Sequence, residues 1–126
     1  MSQNKDLFKI ESMYDYDFDV LGIRVTHDYD YRTSIEMEEG IILDFDINNV
    51  PVALEILDAS KVFKVPKSSL MNPYLIKMEV NINEKSIHLK TILELIIHHK
   101  KEDCPVESFT SNNTDIPSIN RSLATV

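Results

Sequence analysis

The chain has 126 residues, 43% of them hydrophobic, and a formal net charge of −8 at neutral pH. That length suits one compact domain, and no window approaches the ~18 uninterrupted apolar residues of a membrane-spanning helix. A single cysteine, Cys104, excludes an internal disulfide, and the polar N-terminal segment lacks the pattern of a secretory signal. These features together predict a cytoplasmic protein without membrane contact.

Charge is distributed unevenly along the sequence. Residues 1–60 carry four Lys/Arg and fourteen Asp/Glu, a net of −10, whereas residues 61–101 carry eight and three, a net of +5. Residues 102–126 carry one and four, a net of −3. A strongly acidic surface repels phosphate backbones, so a nucleic-acid partner is disfavoured. Opposed charges on one chain suit contacts within the fold or between identical subunits.

The first half of the chain alternates apolar and polar residues in short runs separated by acidic turns. Residues 5–13 are mixed in character and are interpreted as a lead-in whose Leu7, Phe8 and Ile10 cover part of the core. Between Val20 and His27 every second side chain is apolar, as expected for a half-buried strand. The same argument predicts three further strands, at Thr33–Met37, Ile41–Phe45 and Val52–Leu57.

Residues that favour turns and caps separate these strands. Gly40 can adopt the positive φ that a tight turn requires. Asn48–Asn49 tolerate left-handed conformations, and Pro51 suits the start of a strand, where its missing N–H costs little. After the fourth strand, Asp58 offers a carboxylate N-cap for a helix of one or two turns that ends before Pro66.

The second half also alternates, and it contains one ambiguous run. Tyr74–Ile82 has the period of a strand, and Asn83–Ser86 has the composition and length of a hairpin turn. Residues 87–99 fit both a helix and a strand. The strand is favoured because the preceding strand needs a partner and isoleucine is frequent in this run. Val106–Thr110 and Arg121–Val126 are predicted as two further short strands.

These elements predict a mainly β fold, namely an antiparallel β meander closed by a short helix and followed by a β-rich C-terminal extension. If residues 87–99 were helical, the fold would be α+β instead. Two parts are predicted, residues 13–63 and residues 64–126. The second part is expected to pack on the first as one compact domain.

Several segments of the first half carry a family resemblance. They are Tyr14-Asp15, Asp19–Arg24 (DVLGIR), Glu36, Gly40–Asp46 (GIILDFD) and Leu54–Ser60 (LEILDAS). In combination, over about residues 13–63, they resemble the domain of unknown function family 2283. The resemblance implies a small β-rich fold and no established function. Two positions depart from the family pattern, since Ala53 replaces a frequent glycine and Asn48–Asn49 replace a glycine-bearing turn.

Three aspartates have the spacing with which a calcium loop begins, Asp15, Asp17 and Asp19. A calcium loop of about twelve residues also needs glycine at its sixth position and glutamate at its last. The chain has Val20 and Thr26 at those places, so no calcium site is predicted. In an extended segment the three carboxylates would line one solvated face, opposite Tyr16 and Phe18.

The other chemistry-bearing residues are interpreted as structural. Asp44, Asp46 and Glu55 are paired carboxylates, but they alternate with apolar residues as outward side chains of a strand do. The candidate ligands for a soft metal are few: His88, His98, His99 and Cys104. His98 and His99 would point to opposite faces of a strand, and no second cysteine completes a zinc site. The sequence therefore predicts no catalytic, cofactor-binding or metal-binding residue and no cofactor.

Three hypotheses describe the function. The favoured one is a small non-catalytic β domain that acts by protein–protein contact, with itself as a homo-oligomer or with another small protein. The first alternative is a metal-dependent or acid–base enzyme that uses Asp44, Asp46 and Asp58, which would have to converge in one pocket. The second is a weak nucleic-acid-associated protein using lysines of the middle segment: Lys61, Lys64, Lys67, Lys77, Lys90, Lys100 and Lys101. No small-molecule substrate is identified.

Overall fold

The computed structural model describes residues 7–38 and 40–125, and it confirms a mainly β fold. The strands are β1 (Leu7–Asp15), β2 (Val20–Val25), β3 (Tyr31–Glu38), β4 (Ile41–Asp46), β5 (Pro51–Ile56), β6 (Leu75–Ile82), β7 (Ser86–Ile97), β8 (Lys100–Ser111) and β9 (Ile119–Ala124). The helical elements are α1 (Ala59–Phe63) and a 3-10 turn (Lys67–Leu70). Neither of these two helical elements has the length and apolar character needed to cross a membrane.

The strands form one curled sheet in the order β3-β4-β5-β2-β1-β9-β6-β7-β8. Neighbouring strands are antiparallel except for β1 and β9, which are parallel. β1 joins the two groups of strands, because Leu7–Lys9 pair with β9 whereas Ile10–Asp15 pair with β2. Curling brings residues of the two outermost strands, β3 and β8, within 8 Å of each other. The sheet therefore wraps around a shared core.

The core follows the alternation that the sequence predicts. β2 buries every second residue, Leu21, Ile23 and Val25. β6 does the same with Ile76, Met78, Val80 and Ile82. Burying one large aliphatic side chain contributes ~1.5–3 kcal/mol, so a register slip that turned such a row outward would be costly. This pattern fixes which face of each strand lies inside.

The ambiguous run of residues 87–99 forms strand β7 over most of its length, so the favoured prediction is confirmed and the α+β alternative is wrong. β7 pairs with β6 on one side and with β8 on the other. Its buried residues alternate along the strand: Ile87, Leu89, Thr91, Leu93 and Leu95. Because both edges of β7 are hydrogen-bonded to neighbours, the strand satisfies its backbone polar groups while it buries an apolar face.

The predicted lead-in is wrong, because its described part, from Leu7 onward, belongs to strand β1. Residues 5 and 6 lie outside the described ranges. The strand is hard to detect because only Ile10 among residues 8–15 is buried, whereas Ser12, on the same side of the strand, is exposed. Alternation alone therefore does not reveal this strand.

The C-terminal strands are placed correctly, but their bounds change. The predicted strand Val106–Thr110 lies in the C-terminal half of the longer β8, which begins at Lys100 and includes Pro105. Proline is tolerated there because β8 is an outermost strand and one side of its backbone has no ladder partner. The predicted strand Arg121–Val126 corresponds to β9 at Ile119–Ala124, and residue 126 lies outside the described ranges.

Turn residues occupy the conformations that the sequence predicts. Gly40 has a φ of 79° and Asn49 a φ of 61°, both in the left-handed region. Pro51 is the first residue of β5. In the β6–β7 hairpin turn, the Asn83 N–H donates to the Ser86 carbonyl at 3.0 Å. These turns set the antiparallel register of the strands that they connect.

Candidate functional site

A buried carboxylate, Asp19, lies where the turn after β1 meets the start of α1. It is 6% exposed. Its Oδ1 atom accepts hydrogen bonds from the Tyr14 hydroxyl at 2.6 Å and from the Ser60 backbone N–H at 2.9 Å. Its Oδ2 atom accepts from the Ser60 hydroxyl at 2.6 Å. Each of these bonds is charge-assisted, which compensates for taking the carboxylate out of water.

Asp19 also caps the N-terminus of α1, although it precedes Ser60 by 41 residues. Its backbone carbonyl accepts from the Ala59 N–H at 2.9 Å, beside the carboxylate bonds to Ser60. The sequence predicts this capping role for Asp58, and that prediction is wrong. Asp58 has a φ of 52° and its side chain makes no capping bond, because side-chain capping requires an extended backbone at the N-cap residue.

The protonation states of this cluster are fixed at neutral pH. Burial raises the pKa of the Asp19 carboxyl, but the hydrogen bonds from Ser60 and Tyr14 and the charge of Lys67 outweigh burial and leave that pKa below its usual value. Burial, followed by the hydrogen bond to Asp19 and its charge, raises the pKa of Tyr14. A carboxylate that stays ionised and a phenol that stays protonated exchange no proton near pH 7. The cluster is therefore suited to holding structure rather than to acid–base chemistry.

The three aspartates that resemble the start of a calcium loop do not line one solvated face, so that expectation is wrong. Residues 16–19 form a turn, which places Asp19 in the buried cluster and leaves Asp15 and Asp17 exposed. Asp15 Oδ1 accepts a hydrogen bond from the Phe18 N–H at 3.1 Å within this turn. In residues 7–38 and 40–125, no three His, Cys, Asp or Glu side chains gather as a metal ion would require.

A groove of about 410 Å³ crosses the outer face of β1, β2, β5 and β4. Strand register arranges the outward residues here in two rows. One row contains Met13, Gly22, Glu55 and Ile42, and the other contains Glu11, Arg24, Ala53 and Asp44. Gly22 and Ala53, the smallest residues of the two rows, are diagonal neighbours and form the floor. The larger side chains beside them, with Tyr29 from the β2–β3 loop, form the walls.

The walls of the groove carry more negative than positive charge. Three carboxylates, those of Glu11, Asp44 and Glu55, line it against one guanidinium, that of Arg24. Arg24 Nε donates to Glu11 Oε2 at 3.1 Å, and Asp44 Oδ1 accepts from the Ser34 hydroxyl at 2.6 Å. Glu55 forms no ion pair with any residue that the structure describes. The groove therefore offers an uncompensated negative charge beside an exposed apolar side chain, Met13.

Gly22 is not required by the packing or the backbone of this chain. A Cβ atom at Gly22 would meet no atom closer than the Met13 carbonyl oxygen at 3.7 Å, an ordinary contact, and Gly22 is not among the positive-φ residues. Glycine inside a strand lowers stability and is typical of places where another group approaches the backbone closely. Gly40 differs, since a Cβ there would lie 3.3 Å from Leu57 Cβ at a positive φ.

A second hollow of about 410 Å³ adjoins the groove at the end of β2. It shares three wall residues with the groove, Glu11, Arg24 and Tyr29. Its remaining lining comes from residues 25–28, which include His27 and Asp28. The two hollows together form a trough across the outer face of the N-terminal strands.

The carboxylates of the predicted enzyme alternative occupy different places. Asp44 and Glu55 line the groove. Asp46 closes the β4–β5 turn, where its Oδ1 atom accepts from the Asn48 N–H at 2.9 Å and the Val50 N–H at 3.0 Å. Asp58 lies at the N-cap position of α1. Of the three carboxylates that the enzyme alternative requires, only Asp44 belongs to the groove.

The candidate soft-metal ligands are spread over β7, β8 and the turn between them. His98 and His99 form that turn, with φ values of 51° and 68°, so the expectation that they lie on opposite faces of a strand is wrong. The His88 ring stacks on the Phe109 ring at 4.3 Å, and its Nε2 atom lies 2.8 Å from Glu107 Oε1. Burial, followed by the charges of Glu102 and Asp103, raises the pKa of the Cys104 thiol.

Three lysines of the middle segment, Lys67, Lys90 and Lys101, have an acidic or aromatic neighbour. Lys90 stands between Glu79 and Glu107 in a cross-strand row, and Lys101 Nζ lies 3.4 Å from Glu94. Lys67 Nζ donates to the Tyr16 carbonyl at 3.1 Å. Lysines so interleaved with carboxylates make a weak footprint for a phosphate backbone.

The sequence reveals Asp44 and Glu55 as candidates but misses the other groove residues: Glu11, Met13, Gly22, Arg24 and Tyr29. One signal was present, since Gly22 interrupts an otherwise regular strand pattern. The remaining residues become neighbours only through the pairing of β1 with β2 and of β2 with β5.

The fold and these features describe a small, mainly β protein whose N-terminal strands carry a helix-capping polar cluster and an open groove. Residues 13–60 match the family described as "Protein of unknown function (DUF2283)". Tyr14, Asp19 and Ser60 all lie in the matched segment, so hydrogen bonds of the buried cluster join its two ends.

A curated protein of Methanosarcina mazei is 31% identical to the chain over 105 residues, which cover 82% of this chain and 85% of that protein. It is named "Putative hypoxanthine phosphoribosyltransferase". No solved structure matches the chain significantly.

Proposed function

We propose that the protein is a non-catalytic β domain that acts by protein–protein contact, and that the groove over Gly22 and Ala53 is its contact surface. The observation that carries the proposal is Gly22 itself. Neither its φ nor its surroundings demand a glycine, and the missing side chain leaves the groove open for an external group. Met13, which is 74% exposed beside it, supplies apolar surface for such a contact.

A face of the sheet suits this contact better than the outermost strands. β8 carries Pro105 and the charged run of residues 100–103, and β3 is irregular at two points of its pairing with β4. Charges, proline and bulges on outermost strands discourage pairing with further strands. The proposal therefore places the partner on the groove rather than on a strand edge.

Photo-cross-linking tests the contact surface directly. A chain carrying Met13→benzoylphenylalanine should give a defined adduct with a protein on irradiation, either a second copy or another protein of the native extract. Adding Gly22→Val to this chain should remove the adduct, because the new side chain fills the floor while its Cβ meets only an ordinary contact. A matched probe at Asn81→benzoylphenylalanine, an exposed residue of β6, should give no such adduct.

The result that would overturn the proposal is equally specific. An adduct from position 13 that persists at full yield with Gly22→Val would show that the groove floor is irrelevant to binding. Absence of any adduct from position 13, with the purified protein and with native extract alike, would remove the contact surface altogether. Circular dichroism of each variant establishes that the fold is retained.

The name of the Methanosarcina mazei relative suggests a second candidate, phosphoribosyl transfer to hypoxanthine. A phosphoribosyl donor carries phosphate, which proteins commonly hold with helix N-termini or with cationic side chains. The first amides of α1 are already engaged by Asp19, and the groove has three carboxylates against one arginine. Both features weigh against phosphate binding at these two places.

A direct assay separates the two candidates. Purified protein is incubated with hypoxanthine and a phosphoribosyl diphosphate, and nucleotide is measured by chromatography. We expect no nucleotide above a protein-free blank. Nucleotide formation that disappears with Arg24→Ala, the arginine of the groove, would favour the transferase over the binding domain.

A further inference from the structure

The connector between β5 and β6 is a basic segment of the chain. The connector, residues 57–74, contains three lysines, Lys61, Lys64 and Lys67, and one aspartate, Asp58, a net of +2. It comprises α1, the 3-10 turn and the segments that flank them. Lys61 and Lys64 are exposed, and neither forms an ion pair with a residue that the structure describes. Met71 adds an apolar side chain that is 50% exposed.

The groove has the opposite character. Its lining carries three carboxylates and one guanidinium, and Glu55 has no ionic partner within the described ranges. Met13, which lies across Gly22 from Glu55, provides an exposed apolar surface of the same kind as Met71. Charge complementarity steers association and fixes which surfaces meet, while apolar contact supplies affinity.

The connector of the same chain is held elsewhere. Lys67 Nζ donates to the Tyr16 carbonyl at 3.1 Å and lies 5.2 Å from the centre of the Tyr16 ring. This contact fastens the connector at the β1–β2 turn, and none of its residues lines the groove. The complementary surfaces can therefore meet only between two copies.

From this complementarity we infer that a second copy of the chain occupies the groove and that its connector, residues 57–74, provides the contact. The inference rests on the proposed function and names its partner. A two-fold dimer satisfies both copies at once, because each groove receives the connector of the other and the contact is formed twice. Because charge is central to it, the dimer should weaken as salt rises.

Light scattering after size-exclusion chromatography measures the molar mass of the dimer. At about 1 mM protein and roughly 20 mM salt the wild-type chain should have twice the monomer mass, and roughly 500 mM salt should shift it toward monomer. Gly22→Val should give a monomer under both conditions, because it fills the floor of the groove.

Charge reversal identifies the two surfaces. Glu55→Lys in the groove and Lys64→Glu in the connector should each raise the dissociation constant about tenfold. A chain that carries both changes should return to within about threefold of the wild type, because the opposite charges again face each other across the dimer. Glu84→Lys, at an exposed residue of the β6–β7 turn, is the matched control and should change nothing.

Each outcome bears on the inference. A monomer at the highest concentration and lowest salt overturns it, and so does a double variant no tighter than its singles. If the chain is monomeric but position 13 still gives a Gly22-dependent adduct with another protein, the proposed function stands and only the second copy is wrong. A dimer indifferent to Gly22→Val and to Glu55→Lys, with no adduct from position 13, contradicts both.

Discussion

The N-terminal part, β1 to β5 with α1, packs less regularly than the C-terminal part, β6 to β9. In β6 and β7 almost every inward residue is apolar and the turns are short. In the N-terminal part a buried carboxylate, a helix capped from 41 residues away and a strand glycine break that regularity. Departures from simple packing mark places where something beyond stability is specified. The difference therefore directs attention to the N-terminal strands.

The largest effect should come from the apolar core of the C-terminal strands. Leu93 is fully buried in β7, so Leu93→Ala should lower the free energy of unfolding by about 2–5 kcal/mol through lost burial and a cavity. Ile96, on the other face of the same strand, is 47% exposed, and Ile96→Ala should cost less than about 1 kcal/mol. Urea denaturation measures both. Similar losses for the two variants would show that β7 has no distinct inner face.

The next largest effect should come from the polar cluster of the N-terminal part. Asp19→Ala removes the acceptor for Tyr14 and Ser60 and the side-chain cap of α1, and it should cost about 2–3 kcal/mol. Asp17→Ala, at the exposed aspartate two residues earlier, should cost less than about 0.5 kcal/mol. The same urea experiment compares them. A loss below 0.5 kcal/mol for Asp19→Ala, judged against the ~1 kcal/mol typical of a cap, would mean that the cluster is dispensable.

The pH dependence of stability should isolate the charge of Asp19. Its pKa is lowered in the folded state, so its stabilising contribution is complete above the pKa of the unfolded chain, about 3.9. The contribution is lost as pH falls through the folded pKa. The difference in unfolding free energy between the wild type and Asp19→Asn should therefore be constant from pH 7 to about 5 and shrink below about 4. If this difference in unfolding free energy grew as pH fell, the pKa of Asp19 would be raised in the folded state and not lowered.

The smallest effects should distinguish the two glycines of the N-terminal part. Gly22→Ala should raise the unfolding free energy by about 0.5–1 kcal/mol, because a strand glycine is replaced where the backbone and the space allow a side chain. Gly40→Ala should lower it by about 1 kcal/mol or more, because the φ of 79° and the nearby Leu57 side chain oppose a Cβ. Thermal unfolding measures whether each variant is more or less stable than the wild type. Destabilisation by Gly22→Ala would mean that the fold itself requires this glycine.

Sequence patterns predict the strands whose inward residues are apolar and whose partners are close in the chain. β4 and β7 meet both conditions, whereas β2, β5 and β6 meet the first and have one partner adjacent in the chain. β1 does not meet the first condition, since Ile10 is the only buried residue between Phe8 and Asp15. The alternation of apolar and polar residues reveals a strand only when one of its faces is buried, so it does not reveal a strand whose burial is incomplete.

The candidate sites are less predictable, because they depend on contacts between residues distant in sequence. Asp58 stands in the position from which helices are usually capped, yet the cap comes from Asp19. Nothing local to Asp19 indicates this role. The groove likewise forms only when β2 pairs with β5, because this pairing places Arg24 opposite Ala53 and Gly22 opposite Glu55. Its residues could be seen in the sequence, but their proximity could not.

The division of β1 between two partners has a consequence for how the chain folds. Leu7–Lys9 pair in parallel with Ser122–Ala124, so the first and the last described strands lie side by side at the centre of the strand order. During synthesis, β1 leaves the ribosome long before β9 exists to receive it. The pairing of β1 with β9, which joins the two groups of strands, therefore forms late. It connects the described strands that are farthest apart in sequence, and the loop-closure entropy of such a contact makes it slow to form.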